Sequence, residues 1–486
     1  MAFHWPPIEG RGETATFTSS AARASGRVEF VEWCTFWLFV AGLAWVPFWY
    51  GSNGLLAWGI NAVLFPGLAA LYEIALVLQG RRHPIGIRNI AVPSTLFAMV
   101  VLWTAFQTFT WVPSSLINPI WGMAGKALGH PLAGSISVNR DLTTLALMRL
   151  ITAASVFWLA IQLCRHGPRA NLLTSSVAAI GCLYAAYGLA VLKTGQLPWL
   201  DIPANGAGRV SSTFVNYNSF ATYAGIGLVA IGSRILRLYR DESIAGAGWQ
   251  LRLASIIEAT GRQGGALLGG GFVILLALLL SGSRGGLIAT GLGLGVLGVL
   301  VHRHDRYRGR QANGAILFGL MLVVATVCAF GGIAFGHFDA SGISDPNRLS
   351  VYLLTVRSIR DAPVLGYGYG TFVDVFPLYR DRSLGVGGIW GEAHNTYLEV
   401  FQGLGIVFGT MLIATVALFA LRCVRGAIRR QENAMVPAVA ASAACLAGAH
   451  ALVDFSLQMQ AVALTLIAIL GAGVAQSDSS RLALED

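Results

Sequence analysis

Twelve stretches of this chain are each long and apolar enough to cross a bilayer as a helix, which takes about 20 residues. They run over 30–50, 54–78, 90–112, 142–163, 172–192, 212–233, 265–282, 285–301, 313–335, 396–421, 435–453 and 457–475. No soluble surface can be built around so much apolar chain. Charged residues make up 12% of the 486, about half of the roughly 25% usual in soluble domains. Hydrophobic residues reach 55%, and the mean hydropathy is +0.64. The expected fold is an all-α polytopic membrane protein with about twelve transmembrane helices. In a soluble protein a net charge of +10 points to nucleic acid. Here no nucleic-acid partner is expected, because Lys and Arg accumulate in cytoplasmic connections.

Placement of charge tests the count of spans. With the N-terminus inside, the inner connections hold Arg81/Arg82/Arg88, Arg165/Arg169, Arg234/Arg237/Arg240/Arg252/Arg262, Arg303/Arg306/Arg308/Arg310 and Arg422/Arg425/Arg429/Arg430. With the two tails, 22 of the 33 basic residues lie inside. Shifting the count by one helix scatters these clusters over both sides. Twelve spans with both termini in the cytoplasm is the consistent solution. Residues 1–29 then form an N-terminal tail and 476–486 a C-terminal tail. The first ~28 residues carry Arg11, Arg23 and Arg27 and lack the apolar core of a cleavable signal, so the first span is expected to act as an uncleaved anchor. The six cysteines show no metal-ligand spacing and none lies in the longest outer loop, so neither a disulfide framework nor a zinc site is expected.

Two outer connections are long, 113–141 and 336–395. The second opens with Asp345-Pro346, a helix-start signal. Leu349, Leu353, Val356 and Ile359 then share one helical face, predicting an amphipathic helix that lies on the membrane surface or caps a cavity. Loops of this length in a compact protein are usually functional or disordered, and the aromatic and apolar content favours a folded one.

Several polar residues on the outer side are out of place for a simple span. Arg284 sits in Ser281-Gly-Ser-Arg-Gly-Gly286, between two spans. An arginine at a membrane edge is ordinarily a snorkelling anchor. Here the span that follows presents its positive N-terminal end to the same surface, and the flanking glycines let an anion approach the backbone, which together describe a phosphate site. Arg209 precedes the dense polar run Ser211, Ser212, Thr213, Asn216 and Asn218. Its bland reading is a charge beside a helix cap. Two outer arginines flanking one cavity suit a diphosphate better than either alone. His394, in Glu392-Ala-His-Asn-Thr-Tyr397, stands where the long loop re-enters the membrane. A histidine there is more often a plain hydrogen-bonding residue, yet its unperturbed pKa suits proton abstraction. Glu392 and Glu399 are near enough in sequence to orient it. His450 and Asp454 share a face if their helix continues that far, which fits a structural hydrogen bond better than catalysis. Arg149 and Glu73 lie within spans; Glu73, near the inner end, is expected to snorkel. The outer loops hold no Asp-x-Asp pair, so no metal held by carboxylates is expected, and no cofactor motif occurs.

Taken in order, Ser281–Gly286, Arg348 with Asp361-Ala-Pro-Val-Leu-Gly-Tyr-Gly, Ala393-His-Asn-Thr-Tyr-Leu398 and His450-Ala-Leu-Val-Asp-Phe455 resemble the O-antigen ligase family and its polymerase relatives. The likeness runs from about 205 to 475, with 30–204 matching only as a run of spans. The stretch after Arg209 departs from the family pattern, lacking a Gly before Phe214 and an Asn-Pro-Asn. The resemblance implies a metal-independent glycosyltransferase of the bacterial inner membrane. It would move a glycan from undecaprenyl diphosphate to a hydroxyl on the periplasmic side: of lipid A–core in ligases, of a growing glycan in polymerases, of a protein in O-oligosaccharyltransferases. By the same match Arg284 and Arg209 would bind the donor diphosphate and His394 would be the base. Arg348, Asn395, Tyr397, His450 and Asp454 would support them. A secondary transporter is the rival from another class. It usually shows repeats around a midplane site, whereas here the polar residues gather at one surface.

Overall fold

The protein, described here from a computed structural model, is all-helical among the described residues, which are 13–195, 208–241, 258, 260–308, 346–384 and 389–477. Fourteen α-helices are described: α1 Glu13–Trp45, α2 Leu55–Leu78, α3 Ala91–Phe106, α4 Ile120–Leu128, α5 Arg140–Leu163, α6 Gly167–Thr194, α7 Tyr217–Asp241, α8 Gly265–Leu280, α9 Arg284–Tyr307, α10 Pro346–Asp361, α11 Phe372–Tyr379, α12 Thr396–Arg429, α13 Met435–His450 and α14 Gln460–Ala475. Seven helical stretches among the described residues are long and apolar enough to cross a membrane, namely α2, Ile87–Phe106, α5, α6, Tyr217–Leu238, α9 and α12; α8, α13 and α14 are shorter apolar helices. The ninth expected span, 313–335, lies outside the described residues, as does the start of the long loop.

Elements differ from expectation where a local cap or break intervenes. The first helix begins at Glu13, well before the expected 30. α7 starts at Tyr217 rather than 212, because Asn216 Oδ1 accepts the Asn218 N–H at 2.7 Å and starts the helix there. α13 ends at His450, three residues early. α12 contains a break the sequence did not announce: Gly405 has φ 77° and ψ 169°, a region only glycine enters without strain. At that break the segment 363–368 crosses the helix. Tyr367 and Gly368 N–H donate to the carbonyls of Gln402 and Gly403 (3.0 and 3.1 Å), and Ile406 N–H donates to Pro363 (2.7 Å). Gln107 Nε2 donates to Leu365 and Gly403 at 2.8 Å each. A Cβ at 405 would collide with the Val364 carbonyl.

The main core runs through α1, α2, α5–α9 and α12–α14, with large buried side chains at Phe36, Phe39, Phe65, Phe214 and Phe220. A separate small core joins the long loop's elements through Val351, Leu354, Phe372, Phe376, Leu384 and Ala393. α10 divides the apolar residues expected on one face between packing and exposure. Its packed face carries Val351, Leu354 and Ile359, while Leu349 and Leu353 are 61% and 63% exposed.

The two ends of the bundle differ in character. At one end Glu32 bridges Arg81 and Arg169 at 2.7 and 2.5 Å. Arg237 there bonds Asn171 (3.0 Å), and Arg308 donates to the Gln431 carbonyl (2.9 Å). Near it Glu73 pairs with His83 (2.8 Å) and accepts from Trp158 (2.6 Å). The opposite end gathers the residues singled out for chemistry.

Candidate active site

The site is organised around residues 451–455, the first part of the connection that joins α13 to α14. Its residues are held by side chains and backbone from the other motifs. Ala451 C=O accepts the Thr396 N–H (2.9 Å), Leu452 C=O accepts Asn395 Nδ2 (2.9 Å), and Val453 C=O accepts the Arg348 guanidinium (3.3 Å). Asp454 C=O accepts the Thr396 hydroxyl (3.1 Å), and the Phe455 ring stands edge-on to His394 with centroids 4.9 Å apart. Tyr397 adds its hydroxyl to the Gly448 carbonyl at 2.8 Å.

The arginine sequence motif reaches the same turn from the other side. Ser283 caps α9, its Oγ accepting the Gly286 N–H at 3.2 Å, so the positive end of α9 opens beside Arg284. Val210 N–H donates to the Leu280 carbonyl (3.0 Å), which lays residues 208–210 against the Ser281–Ser283 turn. Arg209 thereby rests over the Tyr217 ring at 4.7 Å, its side chain against Gly282. Gly285 permits a close approach on its other side, where His450 and Val453 pack directly onto it. Arg209, Arg284, Arg348 and His394 therefore all lie on one rim. Arg209, Arg348 and His394 are half-buried, as is Arg284.

His450 and Asp454 are linked, though not by the expected shared helix face. His450 Nδ1 lies 2.5 Å from Thr222 Oγ1, Thr222 donates to Ser456 Oγ at 2.8 Å, and Ser456 donates to Asp454 Oδ2. This buried relay fixes the imidazole whose Nε2 faces Gly285. Burial pushes the Asp454 carboxyl up to about 6, with the Ser456 hydroxyl and the Arg348 charge acting against it. Its Oδ1 has no hydrogen-bond partner among the described residues, as a partly protonated acid allows.

His394 occupies a strained position. Its φ is 56°, a left-handed conformation that costs a non-glycine residue on the order of 1–3 kcal/mol unless its surroundings enforce it. The enforcement is visible. Tyr352 OH donates to the His394 carbonyl (2.9 Å), Asn395 caps α12 by accepting the Tyr397 and Leu398 N–H groups (3.1 Å each), and Glu399 Oε1 accepts the Ala393 N–H (2.6 Å). Glu399 also accepts from Gln458 Nε2, and burial raises the neighbouring Glu392 carboxyl above the ordinary carboxylate range. Arg149, left open by the sequence, lies beneath this cluster. It stacks over Trp58 at 4.7 Å and donates to the Gln458 carbonyl.

Sequence reasoning missed Thr222, Tyr352, Ser456 and Gln458. None carries a charge or sits in a motif. The nearest signal was Thr222 lying one turn beyond the polar run at 211–218.

No curated protein matches this chain. A family model matches residues 269–414, a stretch that begins in α8, takes in Arg284, Arg348 and His394, and ends inside α12. That model is described as O-Antigen ligase, so this stretch, which carries sequence motifs now gathered on one rim, is similar to the O-antigen ligase family.

Proposed function

We propose that the protein is a glycosyltransferase of the O-antigen ligase type. It transfers a glycan from undecaprenyl diphosphate to an acceptor hydroxyl at the periplasmic face of the bacterial inner membrane. The observation that carries the reading is the convergence of three arginines, the N-terminus of α9 and a strained histidine on the 451–455 turn. The orientation follows from the arginine-rich character of the opposite end, which suits the cytoplasm.

The chemistry needs little more than this rim supplies. The donor's anomeric carbon already carries a diphosphate leaving group. Arg209 and Arg284 bind that diphosphate and neutralise the charge that grows on it as the sugar–oxygen bond breaks. His394 takes the proton from the acceptor hydroxyl, whose oxygen forms the new bond to the anomeric carbon. Attack opposite the leaving group inverts the anomeric centre, so a product of retained configuration would refute direct displacement.

The test is a deletion strain complemented with wild type, His394→Ala, Arg284→Ala and Arg284→Lys, with lipopolysaccharide resolved on gels. A lost ladder with accumulated lipid-linked polymer in the deletion identifies lipid A–core as acceptor. Capping with single repeats identifies a growing glycan, and an unchanged pattern redirects the search to exopolysaccharide or protein hydroxyls. His394→Ala is expected to be inactive, and Lys is expected to rescue Arg284 poorly because it cannot grip two phosphate oxygens as a fork. Full activity of His394→Ala would remove the base assignment.

A further inference from the structure

Two carboxyl groups lie together near His394, Glu399 buried and Glu392 half-buried. Glu399 is 6% exposed, and its two oxygens are both committed. Oε1 takes the Ala393 N–H at 2.6 Å, and Oε2 takes the Gln458 amide. Glu392 lies close to it, and Arg149 lies near both carboxyl groups, its guanidinium anchored to the Gln458 carbonyl.

This arrangement has a direct geometric consequence for the histidine. Glu399 grips the backbone N–H of the residue immediately before His394, and the conformation at His394 is left-handed. Tyr352 holds the carbonyl on the far side of the same residue, so the strained turn is clamped at both ends. We infer that Glu399, buttressed by Glu392 and Gln458, is a positioning residue for His394, setting the direction in which the imidazole leaves the chain. The inference rests on the proposed role of His394 for its effect on turnover, while its structural content stands apart from that role.

The experiment compares Glu399→Gln with Glu399→Met in the full-length, detergent-purified protein. The two replacements are of similar size, but only glutamine keeps an acceptor for the Ala393 N–H. Two readouts are taken: the rate at which diethyl pyrocarbonate modifies His394, followed by mass spectrometry, and kcat and KM for glycan transfer. Glu399→Met is expected to speed His394 modification about fivefold and to lower kcat by about tenfold or more with donor KM unchanged, since misplacing a catalytic group costs turnover rather than binding. Glu399→Gln, which keeps one of the two acceptors, is expected to fall between Glu399→Met and the parent in both. Added to His394→Ala, Glu399→Met is expected to cause no further loss of activity. Should Glu399→Met not be recovered folded, Glu399→Asp, which withdraws the carboxylate by one methylene, carries the same comparison. Indistinguishable Gln and Met variants, an unchanged modification rate, or a multiplicative loss in the double variant would each overturn the inference. A modification rate that responds while His394→Ala stays fully active would instead keep the positioning role and remove the base.

Discussion

A single methyl group added at Gly285 tests how tightly the site is assembled. A Cβ there would stand 2.8 Å from Nε2 and 2.9 Å from Cδ2 of His450, and 3.1 Å from Cγ2 of Val453. Ordinary contact begins near 3.4 Å, so the imidazole has to retreat by about 0.6 Å. It has little room to do so, being 2% exposed and held at Nδ1 by Thr222 at 2.5 Å. Overpacking of this kind costs about 1–3 kcal/mol, against about 1 kcal/mol gained by replacing a helical glycine. The net expectation for Gly285→Ala is a loss of about 0–2 kcal/mol in stability. The consequence for turnover is larger, because the displaced His450 and Val453 support the end of α9 and the turn that Arg348 grips. A shift of this size beside reacting groups costs on the order of tenfold to a hundredfold. Gly291→Ala, on the same helix, meets nothing within 4 Å and gains the helix propensity without the clash. The assay is glycan transfer in proteoliposomes with a lipid-linked donor, paired with thermal unfolding followed by tryptophan fluorescence. Equal activity and equal Tm for the two alanine variants would refute the packing argument.

The remaining expectations concern the relay, its acid and the far end of the bundle. Thr222→Val removes the link between His450 and Ser456 while keeping the shape, and leaves buried polar partners unsatisfied. A loss of about 1–3 kcal/mol is expected, visible as a lower Tm. The Asp454 carboxyl, raised to about 6 from an ordinary 3.8, gives stability that is fully present below pH 3.8 and lost as the pH rises through about 6. Tm of the wild type should therefore fall across that window while Asp454→Asn stays flat, and a parallel fall in both would sink the assignment. Glu32→Gln strips the buried Arg169 of its partner at 2.5 Å and weakens the hold on Arg81. Removing one member of a buried pair costs about 3–5 kcal/mol, so the yield and Tm should drop while turnover per folded molecule stays unchanged.

How much of this was written in the sequence differs from element to element. The alternation of arginine clusters along the chain was enough to put Arg209, Arg284, Arg348 and His394 at one end of the bundle, because charge at a membrane edge is governed by a rule that acts on each loop separately. The i, i+4 spacing of His450 and Asp454 predicted that they act together but gave the wrong route. α13 stops at His450, and the following residues spend their carbonyls on Thr396, Asn395 and Arg348 instead of on another helical turn. That competition is tertiary and leaves no local trace. Thr222 and Ser456 were invisible for the same reason: a hydroxyl one turn into a span is an ordinary residue until something buried comes within reach of it. Gly405 was one glycine among 59, and only the segment crossing at 363–368 distinguishes it from those that merely ease helix contact.

That break in α12 separates two mechanical roles within one continuous stretch of chain. The rod after Gly405, 24 residues to Arg429, is by itself long enough to cross a bilayer, and such rods tilt and flex as bilayer thickness varies. The short helix before it, carrying Asn395 through Leu404, is bound instead to the 451–455 turn and to α3 through Gln107. Flexing of the rod is absorbed at the glycine rather than passed to the imidazole. The candidate rim is in this way set apart from changes in the thickness and composition of a surrounding membrane, an advantage for the proposed work on lipid-borne substrates, which would alter the leaflet around it.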